Sequence, residues 1–476
     1  MNARAPYLPF LLAATLLLPA TALARREPPP APAPADTLRL TLDDAIQRAL
    51  AHSEEMRTAR ANVKQTQGQV LQAMSRALPQ ISGTILYDRK LQSLFSGMAA
   101  DTGVFGAILK NSSFAATHAW TVDLTAQQLL WSSGKVGAAL STARAANKAA
   151  RENERETASE LKFQVRQAYY DAVYSQRLVE IAESALEQAR AHLAQVHSGR
   201  LEGSRSEYEQ LRAEVDAANQ EPNVVAARNG ASLALLNLKR LVDVPLGQPL
   251  SPLTPLVAGD GTVPVVMNLS TAVDQRPAVA AANHMVEARR LAVKLYRGQY
   301  WPDLYVSTDL SHVAYPSDPW PVRREFRRNW DAYVRLDVPI FNGLRTHGQV
   351  VEASAEYEKA KASRDLAQKA AAIEAAQARD EIVRSQTTLL ARRETVRQAQ
   401  RAWELAGVRF KNGMSTQIEV SDARLQLQSS EVNEVQATRD YLVAIAQLER
   451  AVGHPLPVER QPIEQLVPVP NPEGTH

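Results

Sequence analysis

Two short segments of the chain alternate between apolar and polar residues. Around Trp120, every second position from Phe114 to Leu124 is apolar except His118, and the same period recurs around Trp330 up to Ile340. A period of two is typical of a β-strand with one apolar and one polar face. The sequence predicts strands over residues 114–130 and 329–340, and weaker alternation predicts two more over 81–89 and 304–314.

Long stretches with a seven-residue apolar period follow each strand pair. In the first, Ala172 and Val179 begin a row continued by Leu186 and Leu193; in the second, Ile382 begins the equivalent row. This period is typical of helices that pack along a seam. The predicted helices span 42–77, 136–196, 206–242, 271–300, 346–410 and 416–452.

The same order of elements occurs twice. An offset of 210 residues superposes Trp120 on Trp330 and Glu209 on Glu419, and further back the offset becomes 223. A fixed offset over a long stretch indicates an internal duplication. We therefore expect a first repeat over 42–244, a Pro-rich linker over 245–270, a second repeat over 271–453 and an extended tail over 454–476.

The N-terminus has the features of a secretory signal peptide. Arg4 precedes an apolar stretch that ends in Ala22-Leu23-Ala24, a small-x-small cleavage site. We expect cleavage after residue 24, followed by a Pro-rich segment over 25–41. The chain contains no cysteine, so neither disulfide bonds nor a lipid on an N-terminal cysteine is expected.

The amino-acid composition excludes few classes of function. With 54 basic and 51 acidic residues, the net charge of +3 does not suggest a nucleic-acid partner. No sequence fingerprint of a hydrolase, metalloprotease or nucleotide-binding enzyme is present, and no cofactor or metal is expected. His192 and His197 are five residues apart, which does not bring them together on a helix, and we interpret both as surface residues.

Three motifs carry a resemblance to a known family. They are LLWSSG at 129–134, PIFNG at 339–343 and RFKNG at 409–413, within two helix-strand-strand-helix-helix units. The chain resembles the outer-membrane efflux (TolC-like) family. The resemblance implies an α+β membrane protein in which three subunits each give four strands to one twelve-stranded β-barrel above a long helical tunnel.

The implied function is a passive outer-membrane exit duct of a tripartite efflux or type I secretion system, with the helices in the periplasm. The implied partners are two further copies of the chain, outer-membrane lipid, a periplasmic adaptor and an inner-membrane pump of the RND or ABC type. A soluble periplasmic coiled-coil scaffold, such as an adaptor, remains the alternative. The cargo, whether a small molecule, a metal or a protein, stays open.

The tips of the helical hairpins are the candidate functional site. Gly203 and Gly413 occupy equivalent reversals, and Ser206-x-x-Glu209 and Thr416-x-x-Glu419 match the capping box. By resemblance, the tips contact the adaptor, and the acidic residues of the tunnel entrance correspond to Glu209, Glu419 and Asp422.

The family's gate includes a tyrosine and an arginine, and the corresponding positions here are Phe410 and Ser415. A gate held by those polar contacts is therefore not expected. Pro222 lies within a predicted helix and should kink it.

Overall fold

A computed structural model describes residues 37–91, 116–258, 274–316 and 318–453, together with two short strands at 262–264 and 460–462. The expected signal peptide and most of the N-terminal Pro-rich segment lie outside the described residues, as does Phe114 at the start of one predicted strand.

Each half of the chain has two strands followed by one very long helix and one shorter helix. The first half comprises α1 (Leu42–His52), α2 (Glu54–Ser75), β2 (Gln80–Arg89), β3 (His118–Trp131), α3 (Lys135–Leu201) and α4 (Glu207–Leu241). The second half comprises α5 (Pro277–Gly298), β6 (Asp303–Ala314), β7 (Arg327–Asp337), α6 (Arg345–Lys411) and α7 (Gln417–Val452).

The prediction of one continuous helix over 42–77 is wrong, because the helix is interrupted at Ser53 between α1 and α2. This residue has extended backbone angles, and its hydroxyl accepts the amide hydrogen of Met56 at 3.2 Å. Ser53 followed by Glu54 and Glu55 is a helix start with a capping hydroxyl and an acidic first turn. In the sequence, Ala49, Met56 and Val63 continue a seven-residue apolar spacing across Ser53, and this spacing concealed the helix start.

Two other predicted boundaries are corrected by proline. The helix was predicted to begin at residue 271, and the structure describes the chain again from residue 274. Helix α5 begins at Pro277. Proline suits the first helical turn, because its missing N–H would have no partner there. The strand predicted to reach Ile340 ends at Asp337, before Pro339, which cannot donate to a ladder. By contrast, α4 continues as one helix through Pro222.

The four long strands form one antiparallel sheet in the order β2-β3-β6-β7. Trp120, Val122 and Leu124 lie on one face of β3, and the register places Leu310 of β6 and Trp330 of β7 in line with Leu124 on that face. The predicted separation of apolar and polar faces is therefore found in the sheet. Both edge strands, β2 and β7, are exposed along their whole length.

Short strands occur in segments that were predicted to be linkers or tails. β1 (Leu38–Leu40) pairs in parallel with β4 (Leu250–Pro252), and β5 (Thr262–Pro264) pairs with β8 (Arg460–Pro462). The hydroxyl of Tyr169 on α3 donates to Leu40 O at 3.0 Å and accepts from Thr254 N at 2.8 Å. The chain before α1 and the linker between the repeats are thus bound to the long helix.

The helical core is built from small residues. Helix α3 packs against α4, α5 and α7, and α6 packs against α7. Along the predicted seams, Ala172, Ala189 and Leu389 are fully buried, whereas larger residues such as Leu186 are half-buried. Alanines at the contact let the helix backbones approach closely and leave the longer side chains to flank the seam.

Ion pairs join the two repeats where the helices meet. Arg276, only 8% exposed, pairs with Glu156 of α3 and Glu374 of α6. Arg450 of α7 reaches Glu160 of α3 at 2.6 Å, and its other nitrogen pairs with Glu374. Because Arg276 is buried and its partner carboxylates are only partly exposed, separating the repeats here would leave a buried guanidinium unpaired.

Candidate functional site at the hairpin tips

Both long helices end in the same backbone reversal. Gly203 follows α3 with φ +74°, and Gly413 follows α6 with φ +72°. In each case the residue after the glycine closes the turn, because Ser204 N donates to Gly199 O and Met414 N donates to Arg409 O, both at 2.8 Å. A Cβ would meet no other atom at either glycine, so the left-handed backbone, not space, favours glycine.

The first hairpin tip has the complete capping box. Ser206 Oγ accepts the amide hydrogen of Glu209 at 3.3 Å, and Glu209 Oε2 accepts that of Ser206 at 2.9 Å. Arg205 donates to the other carboxylate oxygen at 3.2 Å. The hydrogen bond from the Ser206 backbone, followed by that from Arg205, lowers the pKa of Glu209. Glu209 is therefore a capping group that stays ionised.

The second tip differs, and the capping box predicted there is incomplete. Thr416 caps the helix, but the carboxylate of Glu419 does not return to its backbone. It accepts a hydrogen bond from Ser415 Oγ at 2.7 Å and pairs with Arg409 at 3.0 Å. A neighbouring hydroxyl and a cation on α6 compete for this carboxylate. Ser415 thus orients Glu419 rather than bridging the two hairpins.

Asp422 lies one helical turn beyond Glu419 on the same face of α7. Its side chain is exposed, and it forms no ion pair or hydrogen bond with the residues that the structure describes. Of the three predicted acidic residues, Asp422 is the one whose carboxylate is not engaged by any residue that the structure describes.

Phe410 joins the two tips of one subunit. The guanidinium of Arg205, in the first hairpin, lies 4.3 Å from the centroid of the Phe410 ring in the second. The ring of His192 on α3 lies 6.2 Å from the same ring. A cation over an aromatic face is attractive, so this contact holds the hairpins together without a hydroxyl on residue 410.

A polar cluster behind Phe410 escaped the sequence analysis. Ser421 of α7 donates to Asp216 of α4 at 3.3 Å, and Arg424 is only 9% exposed with no partner for its Nε in the described chain. His192, interpreted as a surface residue, is half-buried here. Burial, then the charge of Arg424, lowers the pKa of His192. No sequence spacing relates these residues, because three different helices supply them.

The cluster opens into a groove of about 780 Å³ between α3, α6 and α7. Its walls include Gln188 and His192 from α3, Trp403 and Lys411 from α6, and Arg424 from α7. The groove is therefore lined by both hairpins, and its wall is mainly apolar with basic and amide side chains among the polar groups.

Neither metal sites nor membrane-spanning helices occur in the described ranges. No three histidine, aspartate or glutamate side chains there converge as metal ligands. Within the same ranges, no helix has an apolar stretch that is long enough to cross a bilayer.

A family model described as "Outer membrane efflux protein" matches residues 45–243 and 268–454. The chain is 26% identical over 347 residues to Protein CyaE of Bordetella pertussis, covering 71% of this chain and 68% of CyaE. It is 24% identical over 427 residues to the pyoverdine export outer membrane protein OpmQ of Pseudomonas aeruginosa, covering 88% and 86% of the two chains.

The fold is similar to that of a solved outer membrane channel. Comparison with the Campylobacter jejuni CmeC outer membrane channel gives a TM-score of 0.74 at 16% identity, over 89% of this chain and 88% of CmeC. At that identity the likeness concerns the fold. The two matched segments of the family model are separated by residues 244–267, which contain most of the linker between the two repeats.

Proposed function

Since this chain belongs to the outer membrane efflux protein family and is an efflux channel protein of the outer membrane, we propose that three copies assemble into one continuous duct. In this assembly β2 of each subunit pairs with β7 of the next, and the sheets close into a twelve-stranded barrel. The observation that carries the proposal is the exposure of both edge strands of the sheet along their full length.

Exposed apolar side chains on the sheet and on two helices support this assembly. On the sheet, Ile85 and Val334 are 72% and 67% exposed, and α4 and α6 expose Leu233 and Leu366, each at 68%. The register places Ile85 and Val334 on the same face of the sheet, and an exposed apolar face supports an interface with protein or lipid. Closure by further copies would bury the helix surfaces, whereas the apolar face of the sheet would contact the hydrocarbon of the outer membrane.

The helices of the proposed trimer form the wall of a periplasmic tunnel. Helices α3 and α6 have 67 residues each, which at 1.5 Å per residue gives rods of about 100 Å. Such rods extend far beyond the sheet and end at the hairpin tips. The mass of the detergent-purified full-length protein tests the assembly: a particle of three chains is expected, and a monomer would refute the duct.

We assign the tunnel entrance to the hairpin tips, with Asp422 as the principal acidic residue. In a threefold assembly, three copies of its free carboxylate would form a ring that favours cations. Glu419 supports the ring electrostatically, although Arg409 neutralises part of its charge. Glu209 remains mainly a capping group.

Ion selectivity in planar bilayers tests the acidic ring. The reversal potential under a salt gradient should shift away from cation preference in Asp422→Ala, and only weakly in Glu209→Ala. Equal selectivity in wild type and Asp422→Ala would remove Asp422 from the entrance.

Closure of the entrance rests, in this proposal, on the contact between Arg205 and Phe410 and on the hydrogen bond between Ser421 and Asp216. Both contacts join the two hairpins of one subunit. Opening would separate them, so the closing interactions are a cation–π contact and a single hydrogen bond instead of a tyrosine-centred network.

The tips around Gly203 and Gly413, and the groove beside them, are the proposed contact for a periplasmic adaptor that connects the duct to an inner-membrane pump. The duct itself catalyses no reaction and uses no cofactor. OpmQ exports pyoverdine by its name, and a small-molecule cargo is therefore our first candidate here. Co-purification of a tagged adaptor, tested with Lys411→Glu at the rim of the groove, addresses this contact.

We also propose that residues 1–24 are removed on export. N-terminal sequencing of protein from outer membranes should begin at Arg25, and an intact Met1 would refute cleavage.

A further inference from the structure

Arginines gather at the end of the sheet that lies farthest from the helices. They are Arg89 at the end of β2, Arg323 and Arg324 in a helical turn before β7, and Arg327 and Arg328 at the start of β7. All five side chains are exposed. Within the described parts of the chain, their guanidinium groups form no ion pair and no hydrogen bond.

Two carboxylates in β7 and the turn before it are engaged elsewhere. Glu325 accepts the amide hydrogen of Val322 at 2.9 Å, and Asp331 accepts a hydrogen bond from Asn329 at 2.6 Å. Among the described residues, no ion pair balances the positive charge of the five arginines.

Register places two of the arginines on the apolar face of the sheet. Arg328 is paired with His312 and lies two residues before Trp330 on the same face of β7. Arg89 is paired with His118 and lies two residues after Tyr87 on the same face of β2. Arg327, in contrast, points to the opposite, polar face, because adjacent residues of a strand alternate.

Aromatic side chains lie just inside these two arginines. The rings of Tyr87 and Trp120 are 4.8 Å apart, and those of Trp120 and Trp320 are 5.9 Å apart. The indole N–H groups are satisfied, since Trp120 donates to Pro319 O at 2.9 Å and Trp330 donates to Thr308 Oγ1 at 2.8 Å. Satisfied Trp and Tyr side chains in a row are typical of the level where hydrocarbon meets headgroups.

An arginine immediately beyond an aromatic belt, on the lipid-facing side, stands at headgroup depth. A cation there with no partner among the described residues is poorly explained by solubility alone, because the polar face and the loops already serve that purpose. Phosphate suits such a site, since the planar guanidinium binds phosphate oxygens through two parallel hydrogen bonds.

We propose that Arg89 and Arg328, assisted by Arg323 and Arg324, bind the phosphate groups of a phosphorylated glycolipid in the outer leaflet. This inference rests on the proposed placement of the sheet in the outer membrane. β2 and β7 are the two edge strands, so in the trimer Arg328 of one subunit and Arg89 of its neighbour come to the same seam. The lipid then binds both subunits at their junction, on the outer surface of the barrel.

Lipid binding to the full-length protein in detergent tests the proposal. Native mass spectrometry would count bound bis-phosphorylated lipid A, the same lipid A without phosphates, and inorganic phosphate as a competitor. We expect the wild type to prefer the bis-phosphorylated form at least about tenfold, since one charge-assisted hydrogen-bond pair corresponds to roughly that factor. Inorganic phosphate at the same concentration should not displace it.

Arg327→Gln is the matched control, because it removes the same charge from the neighbouring residue on the opposite face. Arg89→Gln combined with Arg328→Gln should reduce the preference about tenfold or more, and Arg327→Gln should change it less than about twofold. Should the double variant fail to fold, Arg89→Lys with Arg328→Lys retains the charge and is expected to lose only part of the preference.

Three outcomes would overturn the proposal: equal binding of the phosphate-free lipid, equal loss in Arg327→Gln, or displacement by inorganic phosphate. Pore formation by the same preparations separates this inference from the proposed function. Conducting trimers without phosphate preference would refute lipid recognition alone, whereas preparations that never form trimers or pores would refute the duct.

Discussion

Replacing Phe410 by leucine should raise the open probability of the channel. Leucine keeps most of the apolar volume but lacks the ring face on which Arg205 rests 4.3 Å from the centroid. A partly desolvated cation–π contact contributes about 1 kcal/mol. If the three subunits open together, the lost stabilisation of the closed state is about 3 kcal/mol, which shifts the equilibrium towards open by roughly 100-fold.

Single-channel recording in planar bilayers measures this shift directly. Phe163→Leu is the matched control, because Phe163 also lies beneath an arginine, with Arg450 at 5.4 Å, but in the first half of α3, far from the tips. We expect Phe410→Leu to spend far more time open and Phe163→Leu to behave like wild type. An unchanged open probability in Phe410→Leu, or an equal rise in Phe163→Leu, would refute the role assigned to this contact.

Three further tests of the geometry use thermal or denaturant unfolding. Gly413→Ala should destabilise the protein by about 1 kcal/mol through its positive φ, whereas Gly407→Ala, in open space within α6, should stabilise it by up to about 1 kcal/mol; equal effects would contradict the turn argument. The pKa of His192 is lowered in the folded protein, so the unfolded state binds the proton first as the pH falls. Stability should therefore decrease below about pH 6.5, and His192→Gln should reduce that decrease. A pH profile unchanged in the variant would contradict the burial of His192. Arg276→Ala should cost about 2 kcal/mol, because it removes the guanidinium beside partly exposed Glu156 and one of the two beside partly exposed Glu374. A loss below about 0.5 kcal/mol would mean that water already screens the cluster.

The order of the elements could be predicted because long helices and strands show a clear periodicity of apolar residues. Alternation around Trp120 and Trp330 fixed the faces of the sheet, and the seven-residue rows predicted α3 and α6 to within a few residues at each end. The break at Ser53 was missed because the apolar pattern continues across it. Strands of three residues, such as Leu38–Leu40, are too short to have a period at all.

The site could be located but not fully described from the sequence. Glycine and capping residues mark a hairpin locally, so Gly203, Gly413 and the Ser206–Glu209 box were predictable. The partner of Glu419 was not, since the choice between Thr416 and Arg409 depends on how two helices meet. His192 and Arg424 were missed for the same reason, because only the packed hairpins bring them together.

Conductance of the unmodified full-length protein, purified from outer membranes and added to planar lipid bilayers, shows whether the protein is a channel. We expect discrete, cation-preferring conductance steps from a particle that contains three chains. Absence of steps from a correctly folded preparation, with the protein recovered as a soluble periplasmic species, would contradict the channel and favour a coiled-coil scaffold.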